Sequence, residues 1–269
     1  MTKIMVSGAT GRMGRRIISV IDEHEQATLA GALEFAGNPL VGRDAGEVAG
    51  VGALGVAIVG EVEKLPFADA DVLIEFTSPE ATLAHLELAA GYGVPMVIGT
   101  TGITAAERQQ IAAFARQVPL VVAPNMSVGV NVLFKVVADV ARILGDDFDV
   151  EILEAHHRLK KDAPSGTAVR LGEIVAESLG RDIEKVAVYE RLGFTGERTR
   201  EEIGMQTLRA GDIVGDHLVL FGGLGERLEI VHRAHSRDTF ARGAVRAALW
   251  VSSQAPGLYD MQDVLGLKD

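Results

Sequence analysis

Cysteine is absent from the 269 residues. Its absence excludes disulfides, thiolate metal ligands and a cysteine nucleophile, and it leaves the compartment open. Aromatic residues are scarce, at 5%. No apolar run reaches the roughly 18 residues of a membrane span, and no basic-then-apolar stretch opens the chain, so neither a span nor a secretion signal is expected. Positive charge is also short. A formal net charge of -11 argues against bulk nucleic-acid binding. A cytoplasmic protein that meets neither nucleic acid nor membrane is the simplest reading.

Glycine, in contrast, is plentiful, with 31 residues. The glycines follow no triplet period, which excludes a collagen-like chain. Three of them organise the start of the sequence. An apolar run over 4–6 is followed by Gly8, Gly11 and Gly14 and then by a helical pattern over 15–20. Strand, tight turn and helix in that order predict a dinucleotide-binding loop. Gly8 permits the turn, Gly11 lets the backbone approach a pyrophosphate, and Gly14 removes a side chain where helix meets sheet. The helix start points unpaired N–H groups at the anion. A second strand over 28–33 ends at Glu34, twenty residues beyond Gly14. An acid there accepts hydrogen bonds from ribose hydroxyls and repels a 2′-phosphate, which biases the site toward NAD. Phe35 offers an aromatic face and no charge. Arg12, Arg15, Arg16 and Arg43 are close enough in sequence to soften that bias.

Strands and helices then alternate. Strands are expected over 56–59, 71–76, 95–98 and 118–122, and a turn or short helix over 61–64. A helix over 79–90 is capped by Ser78 with Pro79 in its first position. Thr104 caps the next, with Glu107 completing a capping box. Short apolar strands in this rhythm predict a Rossmann-like, doubly wound parallel sheet. Gly99-Thr100-Thr101-Gly102 follows a strand's carboxyl end, where open parallel sheets bind ligands. An apolar helix over 128–144 leaves for a second domain.

The second domain reads as α+β, with a mixed or antiparallel sheet. Strands are expected over 148–155, 186–189, 203–208, 212–221 and 226–232, and a helix over 164–179. Ala210-Gly211-Asp212 and Gly222-Gly223-Leu224-Gly225 read as hairpin turns. Residues 191–202 carry six charges and two glycines and read as a mobile loop. The face of the sheet left without helices predicts association with further subunits. A final helix is expected over 236–252, followed by a short ending. The expected division is 1–126 for dinucleotide binding, 127–235 for substrate binding and oligomerisation, and 236–269 as a C-terminal helix.

The chemistry of the second domain concentrates in Glu154-Ala-His-His-Arg-Leu-Lys-Lys-Asp-Ala-Pro-Ser-Gly-Thr167. Two histidines, an arginine and two lysines in an acidic protein make a local anion site. Ser165-Gly166-Thr167 opens a helix whose N–H groups, with the Thr167 hydroxyl, can hold a carboxylate. His156 or Lys160 can supply the proton that a hydride transfer requires. A zinc site is not expected: cysteine is missing, and His156 and His157 do not belong to a His-Glu-x-x-His pattern. His232 and His235 lack acidic partners at suggestive spacing.

These motifs, with Gly8-Ala-Thr-Gly-Arg-Met-Gly14, Gly99-Thr-Thr-Gly102, Pro124-Asn-Met-Ser-Val-Gly-Val-Asn131 and the ending Ser236-Arg-Asp-Thr-Phe-Ala-Arg-Gly-Ala-Val-Arg-Ala-Ala-Leu-Trp250, resemble the bacterial 4-hydroxy-tetrahydrodipicolinate reductase family, formerly dihydrodipicolinate reductase. The likeness spans essentially the whole chain. It implies a nucleotide domain rejoined by the C-terminal helix, a substrate domain and a homotetramer. The implied activity is NADH- or NADPH-dependent reduction of the cyclic dicarboxylate precursor in the diaminopimelate route to lysine. The resemblance makes His156 the proton donor or acceptor and Lys160 the partner proton donor. It places His157, Gly166 and Thr167 on the dicarboxylate. It assigns the dinucleotide to Gly8, Ala9, Thr10, Gly11, Arg12, Met13, Glu34, Gly99, Thr100, Thr101, Ala123, Pro124, Asn125 and Met126. Several members carry arginine after the ribose-binding acid, where Phe35 stands here, and some carry phenylalanine at the position of Met126. The first departure implies NADH preference with NADPH still possible. Two other readings are another two-domain NAD(P)-dependent reductase of amino-acid metabolism and a non-enzymatic, dinucleotide-binding redox sensor. A sensor has no need of the basic loop.

Overall fold

The computed structural model describes residues 1–268. The chain forms two compact units, one of residues 1–128 together with the chain from Arg237 onward, and the other of Gly129–Ser236.

The first unit begins with β1 (Thr2–Ser7), α1 (Arg12–Asp22), β2 (Ala27–Leu33), the short α2 (Ala45–Ala49) and β3 (Ile58–Val59). It continues with β4 (Val72–Glu75), α3 (Pro79–Gly91), β5 (Met96–Ile98), α4 (Ala105–Phe114) and β6 (Pro119–Val122). The second unit contains α5 (Val128–Leu144, whose first residue closes the first unit), β7 (Asp149–His156), α6 (Gly166–Ser178), α7 (Ile183–Val186), β8 (Ala187–Val188), β9 (Ile203–Arg209), β10 (Gly215–Gly222) and β11 (Arg227–Ala234). The chain then adds α8 (Asp238–Val251), β12 (Gly257–Tyr259) and α9 (Met261–Leu265) to the first unit. No helix among the described residues is long and apolar enough to cross a membrane.

The first sheet has the order β12-β6-β5-β4-β1-β2-β3, and its pairings are all parallel. Its central strands β1, β4, β5 and β6 are short, mostly apolar and largely buried on both faces, as a sheet covered by helices requires. Ile4, Val6, Ile74 and Val97 pack on one side with Ile17 and Val20 of α1 and Ala244 and Ala248 of α8. Met5, Leu73, Met96 and Ile98 pack on the other with Leu86 and Ile111. The strand period of two assigns alternate residues to the two cores. The Ser78 cap and the Thr104–Glu107 capping box are both formed. The ending after α8 adds a seventh strand, because β12 pairs with β6.

The second sheet is mixed, in the order β11-β10-β7-β9-β8. Its covered face packs Val150, Ile152, Met205, Val219 and Phe221 against Leu133 and Val137 of α5 and Leu171 and Val175 of α6. The Gly222–Gly225 turn does join an antiparallel hairpin, β10 to β11. Ala210-Gly211-Asp212 does not. β9 and β10 flank β7 on opposite sides, so the connection must cross the end of β7. It is held there by Ala210 N–H donating to the His156 carbonyl at 2.9 Å and Arg158 N–H donating to the Gly211 carbonyl at 3.2 Å. Residues 191–202 are anchored at Arg191 and Arg198, and the stretch between these two residues is exposed. Arg191 donates to both Glu151 carboxylate oxygens at 2.8 and 2.9 Å, and Arg198 donates to Asp149 and to the Val150 and Glu202 carbonyls. Arg191 and Arg198 are tethers to β7, which a charge count along the sequence does not distinguish from solvated residues.

Candidate functional site

The first unit presents a cleft at the carboxyl ends of β1, β4, β5 and β6. Gly8 leaves β1 with φ +75°, and a Cβ there would lie 2.6 Å from the Phe76 carbonyl oxygen. Gly14 lets α1 approach the loop it follows: a Cβ would lie 2.1 Å from the Gly8 oxygen. Gly99 faces the Phe76 ring, and a Cβ there would lie 2.1 Å from the nearest ring atom. The N-cap of α1 is Gly11, and no side chain caps that end. Around this cradle lies a cavity of about 500 Å³, lined by Gly8, Gly11, Arg12, Met13, Gly14, Phe76, Thr77, Gly99, Thr100, Thr101, Pro124, Asn125, Met126 and Phe240. Uncapped helix N–H groups, missing side chains and an arginine suit a pyrophosphate.

Of the residues expected on a dinucleotide, Gly8, Gly11, Arg12, Met13, Gly99, Thr100, Thr101, Pro124, Asn125 and Met126 line this cleft together. Ala9 and Ala123 lie buried in the core behind it. Thr10, Glu34 and Phe35 stand outside its lining. Glu34 Oε2 accepts from Thr10 N–H at 2.9 Å and from the Thr10 hydroxyl at 2.7 Å, so it clasps the glycine loop from the end of β2. Phe35 is 74% exposed. Arg15 donates to the Thr10 carbonyl, Arg16 pairs with Asp238 and Arg43 with Glu47, which leaves Arg12 as the arginine at the cleft. Phe76, Thr77 and Phe240 are lining residues that the sequence reading missed. Phe76 was read as the last residue of a strand that in fact ends at Glu75, and both it and Thr77 follow β4 at the end where parallel sheets bind ligands. Phe240 is supplied by α8, and strand and helix periodicity carries no information on where that helix docks.

In the second unit the chemistry gathers at the end of β7. Val150, Ile152 and Glu154 fall on one face of that strand, so an acid occupies a core position. Glu154 is fully buried and fully engaged. It accepts from Arg209 at 2.8 and 2.9 Å, Ser165 N–H at 3.0 Å, the Thr207 hydroxyl at 3.2 Å and His156 Nδ1 at 2.6 Å. Burial alone would raise its pKa, but the hydrogen bonds from Arg209 and His156 outweigh burial and hold it below the usual value. An ionised carboxylate only accepts, so His156 Nδ1 carries the proton and Nε2 is the nitrogen left for exchange. Burial lowers the His156 pKa, and the neighbouring Lys160 and Arg209 charges add to it against the pull of Glu154. His156 is therefore mainly neutral near pH 7.

Lys160 Nζ is held between the two Asp162 oxygens at 2.8 and 2.9 Å. His157 Nδ1 is buried without a hydrogen-bond partner. Ser165 caps α6 by accepting from Ala168 N–H, and its hydroxyl meets His217 Nε2 at 3.0 Å. Space above Gly166 is open, since a Cβ there would touch nothing within 4 Å. The predicted residues His156, His157, Lys160, Gly166 and Thr167 thus occupy one continuous strand end, loop and helix start. Arg209 and His217 were missed as members of the cluster, and Glu154, which heads the stretch, was given no role. An acid in phase with two core residues was the available signal for Glu154; its partners come from β9 and β10, far away in sequence.

Comparisons with known proteins agree with this architecture. Profiles for the dihydrodipicolinate reductase N-terminus and C-terminus match residues 2–126 and 129–265. The chain is 62% identical over 268 residues to the 4-hydroxy-tetrahydrodipicolinate reductases of Citrifermentans bemidjiense and Geobacter sulfurreducens, covering 100% of each chain in both cases. Among solved structures it resembles a dipicolinate-bound dihydrodipicolinate reductase from Paenisporosarcina sp. TG-14, with a TM-score of 0.75, 24% identity and 98% of each chain covered. The chain belongs to the dihydrodipicolinate reductase family, the NAD(P)H-dependent oxidoreductases with 4-hydroxy-tetrahydrodipicolinate reductase activity in lysine and diaminopimelate biosynthesis.

Proposed function

We propose that this chain performs that reduction with NADH as the preferred cofactor, and that its two clusters divide the work. The observation that carries the reading is the buried Glu154, which aims His156 at the head of a basic loop. The dinucleotide belongs on Gly8–Gly14, Thr77, Gly99–Thr101 and Pro124–Met126, where the missing side chains and the uncapped α1 fit its phosphates. Ala9, Thr10, Glu34, Phe35 and Ala123 complete that assignment from behind the loop and from the adenosine side. A bound nicotinamide supplies the hydride. The absence of a cation at Phe35, and the carboxylate of Glu34, disfavour a 2′-phosphate.

The dicarboxylate substrate belongs on His157, Gly166 and Thr167, with the basic loop as counter-charge. One carboxylate meets the start of α6, where N–H groups converge and Gly166 leaves space. Lys160, held by Asp162, is the proton-bearing group, and neutral His156 accepts at Nε2. Glu154 sets the tautomer that makes this possible. The chain acts as a cytoplasmic homotetramer. Support for assembly comes from the sheet face without helices, where Leu208 and Val231 are 52% and 40% exposed.

Lys160→Ala tests the assignment. Turnover should fall by at least a hundredfold, while the NADH dissociation constant, read by nucleotide fluorescence, stays within about twofold. Wild-type turnover in that variant would refute the role of Lys160.

A further inference from the structure

A buried acid at the end of β4 takes no part in the chemistry above. Glu75 is 0% exposed and lies between Ser7 of β1 and Ile98 of β5 in the sheet register. A carboxylate in a parallel sheet is tolerated only when it is fully partnered. Glu75 Oε2 meets His85 Nδ1 of α3 at 2.7 Å, and the Ser7 hydroxyl lies 3.2 Å from the same nitrogen. The other oxygen, Oε1, accepts from the Thr77 hydroxyl. Glu75 and His85 lie outside the cleft lining, whereas Thr77 is part of it.

The direction of these bonds has a consequence. A carboxylate only accepts, so both His85 Nδ1–H and the Thr77 O–H point at Glu75. A threonine hydroxyl has a single proton. The alternative acceptor for it, the Ser78 carbonyl, is 3.4 Å away and cannot compete with a short bond to a carboxylate. Thr77 Oγ1 is left with lone pairs alone to offer the cleft.

We propose that Glu75, oriented by His85, commits the Thr77 proton, so that Thr77 is a one-way acceptor that selects an N–H donor on the ligand over a carboxylate. This rests on the cleft being the dinucleotide site. The donor that fits is the NH₂ of the nicotinamide carboxamide, and the ligand rejected is the deamido dinucleotide, which carries a carboxylate there. Glu75 and His85 are positioning residues, and Thr77 is the specificity determinant.

The test uses dissociation constants of the full-length protein for NADH and reduced deamido-NADH. Wild type should favour NADH by at least tenfold. Glu75→Gln should bring that ratio below about threefold, because a glutamine amide can donate to Thr77 and release its proton toward the cleft. His85→Asn, which keeps a donor at the Nδ1 position, should stay near the wild-type ratio. Thr77→Val deletes the acceptor, and with it one donor to Glu75 Oε1, but keeps the Glu75–His85 contact; it should also collapse the ratio, so the test survives if Glu75→Gln does not fold. A ratio unchanged in Thr77→Val, or a Glu75→Gln variant that weakens both ligands equally, would overturn the inference and leave the cleft's assignment standing. A wild type that binds neither dinucleotide would take down the assignment of the cleft and the inference with it.

Discussion

At the scale of single residues, the site is governed by acids and histidines whose partners fix their protonation. Glu154 and His156 form one such pair; His217 is a second case. His217 is buried, its Nδ1 has no partner, and burial together with the nearby His156 pushes its pKa down to about 4. The ordinary value is 6.5. As pH falls through 6.5 the unfolded chain takes up a proton that the folded chain refuses. The contribution to stability is therefore intact above pH 6.5 and is lost on the way down to about pH 4. The shift corresponds to about 3 kcal/mol in total. His156 and His232 are lowered as well and act with the same sign. The thermal midpoint should drop between pH 7 and pH 4.5, and His217→Gln, which keeps a polar group toward Ser165 without a titrating proton, should flatten the drop. A wild-type midpoint that is level over that range would contradict the assignment.

At the scale of elements, the glycine loop is a packing device as much as a binding one. Gly14 exists because α1 starts against the Gly8 carbonyl, and Gly243 exists because α8 presses on the Met126 carbonyl, where a Cβ would come within 1.7 Å. Gly14→Ala should push α1 off the loop, weaken NADH binding by at least tenfold and lower the thermal midpoint; titration of the purified variant by nucleotide fluorescence checks this. Near-wild-type affinity would show that the contact is dispensable.

These elements also show what was legible in the sequence. Strands β1 to β6 of the first sheet were readable because they are short apolar runs closed by a turn or a capped helix, as at Ser78 and Thr104. The clasp of Glu34 on Thr10 was not readable, because spacing gives the acid's place but not its partner. The hairpin misreading at Ala210–Asp212 has the same origin. Turn residues signal a reversal of the chain, but strand order depends on which edge of β7 is open. β12 escaped because three residues are too few to show a period.

At the scale of the whole molecule, the chain is organised as two units with complementary chemistry. One is a parallel sheet whose carboxyl ends form a cleft suited to phosphates, and the other is a mixed sheet whose central strand ends in His156 within a basic loop. A protein of net charge -11 places its local positive charge beside the start of α6, where an anionic substrate can be held. The family resemblance visible in the motifs at 8–14, 99–102, 124–131 and 154–167 extends over both units in the profile matches. On the proposed reading, the preference for NADH is assigned to one pair of neighbouring residues, Glu34 and the exposed Phe35.

The most direct measurement is the kcat/KM for NADH and for NADPH, followed at the nicotinamide absorbance band with the freshly formed condensation product of aspartate semialdehyde and pyruvate as substrate. The account predicts oxidation of both cofactors with NADH favoured. No oxidation of either, or a tenfold preference for NADPH, would contradict it.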